Sequence, residues 1–349
     1  MVRKSAAILL TLVAVLAAGW LALRRPDIPY EALESSYSVE ASRFLNVKGD
    51  TKIHYTDTGP RDAPVVLLVH GFSASLHTWR PWVRQLEDTY RVITLDLPGH
   101  GLSRVPEDEP VSIDYFVDTV DALADRMQVA SFTIVGSSMG GNVAWQYALA
   151  HPERLDSLVL VDASGWPDES NADEPIIFRL LNISVARTLM KDLDLSGLIE
   201  DGLKDSVVDP AIVSTEMIER YSALSRAPGH RDALLQLSAG RGKREKASKQ
   251  RLSAINVPTL ILWGEQDKVI PVSDAARFED AIPNSVVITY PEAGHIPQEE
   301  LPEETLADLE AFLERHVNAS DVAVEPLDGR ALSERPQAQQ ATGGGMRPR

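Results

Sequence analysis

Short apolar runs recur along this chain, and each ends in a turn rich in glycine, proline or polar residues. Residues 65–69 read Val-Val-Leu-Leu-Val and stop at His70-Gly71-Phe72-Ser73. Residues 92–95 stop at Asp96-Leu97-Pro98-Gly99-His100-Gly101, and residues 132–135 at Gly136-Ser137-Ser138-Met139-Gly140-Gly141. Further on, residues 257–263 stop at Gly264-Glu265-Gln266-Asp267, and residues 286–290 at Pro291-Glu292-Ala293-Gly294-His295. Nearly unbroken runs of this length are the mark of strands buried on both faces. Helical patterns over 78–87, 113–126 and 303–316, and a helix-forming stretch over 142–149, lie between and after them. This alternation predicts an α/β fold: a mostly parallel, eight-stranded sheet with helices on both faces. Strand patterns over 41–47 and 51–57 come first, behind a linker over 26–38.

Two stretches break the alternation. Residues 165–253 are too many for a simple crossover between the strands around them, and structureless loops of that length are uncommon in compact domains. Helical patterns over 176–181, 185–193, 211–221 and 231–237 predict a helical cap inserted between core segments 39–164 and 254–317. Apolar cap residues such as Ile176, Phe178, Leu181 and Met190 pack the cap onto the sheet and suit the lining of an acyl-sized pocket. The second stretch is 5–23, uncharged, rich in Ala, Leu and Val, and flanked by Arg3, Lys4, Arg24 and Arg25. At about 1.5 Å per residue it nearly crosses a hydrocarbon core of about 30 Å. It reads as an N-terminal transmembrane anchor, with a signal cleaved near Ala18 as the alternative. Basic residues at both ends leave the charge rule undecided, while the short leading tail favours an anchor that keeps the rest outside the cytoplasm. Residues 318–349 shift to Gln, Gly and Pro and read as a disordered tail. Sequons at Asn182 and Asn318 carry weight only in a eukaryotic secretory host.

Charge and composition narrow the partners. A net charge of −17, from 51 acidic and 34 basic residues, argues against nucleic acid. The chain has no cysteine, so disulfides and a thiol nucleophile are excluded. The basic run Lys243-Arg244-Glu245-Lys246, with Lys249 and Arg251, reads as a solvated helix face, or alternatively as a contact for anionic headgroups. No cofactor is expected, and the oligomeric state is open.

The turns carry the chemistry. Gly136-Ser137-Ser138-Met139-Gly140 has the G-x-S-x-G spacing of a strained strand-to-helix turn that projects a serine hydroxyl. Gly136 and Gly140 leave out side chains that would clash there. A hydroxyl needs a base, and the base needs an acid to fix its tautomer. Asp267 and His295 each follow a strand, in the order Ser, Asp, His. Asp162, after strand 155–161, is the competing acid. Backbone N–H groups of Phe72 and Met139 are candidates for an oxyanion hole. His70 reads as a loop-holding residue beside Gly71, and Asp96 and His100 as loop architecture, with no metal set to complete.

These five pieces resemble the α/β-hydrolase superfamily, specifically its lipase and esterase branch with a helical lid, including membrane-anchored monoacylglycerol lipases and bacterial esterases. The resemblance spans roughly residues 45–317. It implies a serine hydrolase that cleaves small-molecule or lipid esters through an acyl-enzyme on Ser138. Dehalogenases and epoxide hydrolases of this fold use an aspartate nucleophile, which Ser138 argues against. Carbon–carbon bond hydrolysis and perhydrolysis are the alternatives within the fold. A non-catalytic membrane-tethered binding module is the alternative from another class, and it has no need of all three polar groups.

Overall fold

In the computed structural model, residues 11, 14–15, 17–48, 51–104, 111–167, 188, 190–240 and 245–317 are described. The apolar cap run 176–181, most of the 185–193 pattern, Lys243 and Arg244, both sequons, the tail from 318 and the first ten residues lie outside them. Eight strands form one sheet: β1 (Arg43–Lys48), β2 (Thr51–Thr58), β3 (Val65–Val69), β4 (Arg91–Leu95), β5 (Phe132–Ser137), β6 (Leu155–Val161), β7 (Thr259–Gly264) and β8 (Ser285–Tyr290). Their order is β1-β2-β4-β3-β5-β6-β7-β8. Only the β1–β2 and β2–β4 pairs are antiparallel. The sheet is the mostly parallel α/β arrangement read from the alternation.

Residue parity explains why the central strands read as unbroken apolar runs. Val66, Leu68, Val135, Val159, Val161, Leu260 and Leu262 face one layer, with Trp79, Trp82, Leu309 and Phe312. Leu67, Val69, Ile134, Leu158, Leu160, Ile261 and Trp263 face the other, with Phe116, Val120, Val143 and Phe278. Each side chain of such a strand loses its water, at about 25 cal/mol per Å² of apolar surface. The helices of these layers are α2 (Arg80–Leu86), α3 (Ile113–Arg126), α4 (Met139–Ala150), α9 (Ser273–Ala281) and α11 (Pro302–His316). Helix α3 starts at Ser112, whose side chain accepts from the Tyr115 N–H. Helix α4 is apolar nearly all round, and every residue from Met139 to Ala148 is buried.

Several boundaries moved. The helix expected over 78–87 is a 3₁₀ turn, Leu76–Trp79, followed by α2, because Pro81 fits only the first turn of an α-helix. The cap carries α5 (Ser196–Asp205), a 3₁₀ turn Pro210–Ile212, α6 (Thr215–Ser225) and α7 (His230–Ala239). Ser214 caps α6 by accepting from the Met217 N–H, so that helix starts at 215 and not at 211. The expected linker over 26–38 contains a helix, α1 (Tyr30–Tyr37), whose Leu33 is buried with Leu102, Leu224 and Ala227. A single buried leucine in eight residues is too sparse a pattern to show in sequence.

The chain before α1 is tied to the cap. Residues 17–23 are helical, Arg25 N donates to Asp192 O, and Asp194 N donates to Leu23 O. Arg24 and Arg25 lie 3.5 and 3.1 Å from the carboxylates of Asp192 and Asp194. Among the described residues no helix is long and apolar enough to cross a membrane.

Candidate active site

The strand order reverses between β3 and β5, which places the turns after both strands side by side at the carboxyl ends of the sheet. Ser138 occupies the turn after β5 with φ 53° and ψ −114°. A non-glycine residue there costs about 1–3 kcal/mol, and neighbours must hold it. They do so through its backbone: Ser138 N donates to Val161 O at 2.9 Å, and Ser138 O accepts from Ser164 N at 3.0 Å. The flanking glycines are required by space. A Cβ on Gly136 would lie 2.1 Å from Gly140 O, and a Cβ on Gly140 would lie 2.2 Å from Val69 O.

Three elements bring the polar groups together. Ser138 Oγ lies 2.9 Å from His295 Nε2. His295 Nδ1 lies 2.7 Å from Asp267 Oδ2. A carboxylate only accepts, so Nδ1 carries the proton and the Nε2 lone pair faces the serine hydroxyl. Asp267 is itself fixed: its Oδ1 accepts from Val269 N at 2.7 Å and Ile270 N at 3.0 Å. Its side chain has no exposed surface, and that of His295 has 8%. The competing acid, Asp162, does not bond His295; its Oδ1 accepts from Gly264 N at 3.0 Å. One donor group of each of Asp162, Asp267 and His295 falls within 4.8 Å of the others. Both ring nitrogens of His295 are already engaged with Ser138 and Asp267, so this is a hydrogen-bonded array rather than an open ligand set.

The loop after β3 completes the wall. A Cβ on Gly71 would sit 3.2 Å from Ser138 Cβ, so the Gly71-Phe72 backbone runs directly beside the serine. Met139 is the first residue of α4, and its N–H has no acceptor within that helix. His70 holds the loop as read from sequence: its Nε2 accepts from Leu97 N at 2.9 Å, and its Nδ1 donates to Gly71 O at 2.7 Å. Burial lowers the His70 pKa, which keeps this tautomer neutral. Asp96 is loop architecture, with Leu76 N, Leu102 N and His54 Nδ1 around its carboxylate. Burial pushes its pKa up, but the His54 ring and these donors outweigh burial and the net shift is downward. The His100 ring packs at a tilt against His70 and edge-on against Phe116, and burial lowers its pKa well below the usual value.

Cap residues reach the site, and sequence reasoning missed how. His295 N donates to Ser206 O at 2.7 Å, at the end of α5. Glu300, in α10 (Pro297–Glu300), accepts from Gly294 N and from Val208 N, each at 2.7 Å. One carboxylate thus ties the histidine loop to the cap. In sequence Glu300 is one of two adjacent acids with no motif to single it out. Ile296 and Ala74, beside the histidine and on the β3 loop, pack against the cap cluster of Leu203, Val207, Val213, Met217 and Tyr221. Two described members of the basic run, both in α8 (Lys249–Leu252), are paired: Lys249 bonds Asp280 at 2.8 Å, and Arg251 pairs with Glu245 and lies over the Trp145 ring.

Comparison with known proteins agrees with this fold. A family model described as the alpha/beta hydrolase fold matches residues 64–302. The chain is similar to the dihydrolipoyllysine-residue acetyltransferase component of the acetoin cleaving system of Cupriavidus necator, 31% identical, covering 83% of this chain and 73% of that one. It is also similar to the 2-hydroxy-6-oxononadienedioate/2-hydroxy-6-oxononatrienedioate hydrolase of Burkholderia vietnamiensis, 28% identical over 78% of this chain and 96% of the relative. Among solved structures, a membrane phospholipase A described as a bacterial virulence factor superposes with a TM-score of 0.68 at 28% identity, covering 90% of this chain and all of its own. The matched region runs from just before β3 to the start of α11 and includes the serine, acid, histidine and oxyanion-loop turns, so this chain belongs to the α/β-hydrolase family.

Proposed function

We propose that this protein is a serine hydrolase of carboxylic esters, acting through an acyl-enzyme on Ser138. The observation that carries the reading is the unbroken relay from Ser138 Oγ to His295 to the buried Asp267, at 2.9 and 2.7 Å. Ser138 Oγ attacks the ester carbonyl carbon as its proton passes to His295 Nε2. Asp267 keeps the ring oriented and stabilises the imidazolium. The N–H groups of Phe72 and Met139, with the N-terminus of α4, receive the oxyanion. Collapse expels the alcohol, which takes the proton from Nε2. Water then gives a proton to the same nitrogen, attacks the acyl carbon, and frees the acid and Ser138.

An apolar cap suits an acyl chain. Each methylene buried contributes about 0.8 kcal/mol, roughly fourfold in kcat/KM, until the pocket is filled. The structurally similar membrane phospholipase A supports a lipid-like substrate. The apolar stretch 5–23 anchors the chain in a membrane, with the catalytic domain outside the cytoplasm. The exposure of Leu21 and Leu23, at 63% and 57%, supports a helix whose surface is apolar. A fluorophosphonate should label the wild-type protein and leave Ser138→Ala unlabelled; labelling of both would overturn the nucleophile. A p-nitrophenyl ester series should show kcat/KM rising from acetyl to medium chains, with monoacylglycerols cleaved and large triacylglycerols poor.

Carbon–carbon hydrolysis is the second reading, favoured by the similarity to the Burkholderia vietnamiensis hydrolase. Cleavage of a vinylogous dienedioate with no turnover of any ester would select it.

A further inference from the structure

Beside the Ser138–His295–Asp267 relay lies a second carboxyl that this mechanism does not use. Asp162 follows β6 with φ 44°, a left-handed backbone conformation for a residue with no exposed surface. Its N–H donates to Leu262 O at 3.0 Å and its Oδ1 accepts from Gly264 N at 3.0 Å, so it clamps the strand from which the Asp267 loop departs. Its Oδ2 is buried and receives no N–H or O–H donor. The carboxyl of Asp267 lies beside it, an oxygen of each within 4.8 Å. Two carboxylates this close, both out of water, cannot both hold a charge. Asp267 has three donors: Val269 N, Ile270 N and His295 Nδ1. Asp162 has one. The charge therefore belongs on Asp267 and the proton on Asp162.

We infer that Asp162 is a neutral carboxylic acid whose O–H donates to the Asp267 carboxylate, making it a positioning residue for the His295 base. The inference rests on the proposed relay. It also answers the orphaned Oδ2, since the added proton converts two opposed acceptors into a donor and an acceptor. The charged groups that act on Asp162 are themselves acidic: Asp267 from the loop after β7 and Glu300 from α10, with the His295 ring within 4.8 Å. Burial, then the Asp267 charge, push its pKa well above the carboxylate range. Glu300 is engaged with Gly294 N and Val208 N and does not bond it. The consequence for function is a site that holds one negative charge behind the histidine, not two. A second charge there would strengthen the base's hold on its proton and move its working range to higher pH.

The test uses the full-length chain. Asparagine reproduces a protonated aspartate in shape, with its oxygen toward Gly264 N and its NH₂ toward Asp267. Infrared difference spectra at pH 7 between wild type and Asp162→Asn should show a protonated-carboxyl band in wild type that the variant lacks. The acid limb of the kcat/KM–pH profile should stay within about 0.3 units in Asp162→Asn, because no charge is removed. Asp162→Ala should lower kcat about tenfold or more with little change in KM, and asparagine should restore most of it. The inference is overturned if the band is missing, or if the acid limb falls by about one to three units in Asp162→Asn, the effect of removing a neighbouring negative charge. If Asp162→Asn does not fold, Asp162→Ser serves as the infrared reference. Fluorophosphonate labelling of wild type separates the two failures: a labelled protein without the band refutes the neutral acid alone, and an unlabelled, inactive protein with the band refutes the relay alone.

Discussion

Replacing Asp267 by asparagine changes one atom, and the structure dictates which way that atom faces. The Oδ1 position accepts two backbone N–H groups, from Val269 at 2.7 Å and Ile270 at 3.0 Å. An amide turned the other way would set its NH₂ against both donors and leave them unsatisfied, at about 1–3 kcal/mol each. The oxygen therefore stays on Val269 and Ile270, and the NH₂ points at His295 Nδ1, where the acceptor used to be. The imidazole answers by moving its proton to Nε2. That proton now opposes the Ser138 hydroxyl across 2.9 Å, and the base has no lone pair to offer. Turnover must wait for the disfavoured tautomer. In a serine hydrolase relay this wrong-tautomer substitution lowers kcat about 10⁴-fold, or about 5 kcal/mol in barrier. Single-turnover acylation with a p-nitrophenyl ester, alongside a thermal melt, measures it. The expected result is slow acylation in a protein that melts within a few degrees of wild type. Acylation within tenfold of wild type would show that Asp267 does not govern the tautomer.

Two further outcomes test other parts of the structure. Glu299 accepts from Thr78 Oγ1 at 2.5 Å beneath the cap, and burial raises its pKa to about 7, with Arg220 and Thr78 acting the other way. The folded protein thus binds this proton more tightly than the unfolded chain; the stability it contributes is complete below about pH 4.5 and is lost as pH rises through about 7. Glu299→Gln should therefore be more stable than wild type at pH 8 by about 2–3 kcal/mol, with the difference gone at pH 4.5, measured by urea unfolding; an unchanged difference across that range would refute the assignment. For location, full-length protein should pellet with membranes and resist carbonate, whereas a mature protein beginning near Ala18 would identify a cleaved signal instead.

Cap and N-terminal stretch meet in a way that neither suggests alone. Arg24 and Arg25 read in sequence as basic residues that flank an apolar stretch. In the structure they face Asp192 and Asp194, and the backbone of 23–25 pairs with 192–194. Arg231, nearly buried on α7, bonds Asp27, and Arg226 on the neighbouring helix region bonds Pro26 O. The exposed pairs contribute little each, about 0–1 kcal/mol, but contacts at all five residues from Leu23 to Asp27 fix a direction. The segment from Leu23 to Asp27 is therefore fastened to the cap.

The parts of this site legible in sequence are those where backbone shape limits residue choice. Gly136 and Gly140 had to be glycine because carbonyl oxygens stand about 2 Å from where a Cβ would be, and that exclusion is written in the chain as G-x-S-x-G. The central strands were legible because both faces are buried, so parity brought no charged residue into β3, β5 or β7. His295 and Asp267 followed, since each sits in a turn that a strand end makes recognisable. What stayed hidden depends on contacts between segments far apart. Glu300 is an acid like the others in a chain with 51 of them, and Asp162 stood out only as a rival for the relay; the fold shows the first bridging to Val208 and the second set beside Asp267. The same holds for α1, where one leucine finds its pocket in Leu102 and Leu224, residues that the chain reaches much later. Periodicity records what a segment requires of its own backbone. It does not record which distant donor a carboxylate will meet, and here that meeting decides which of two aspartates keeps the charge.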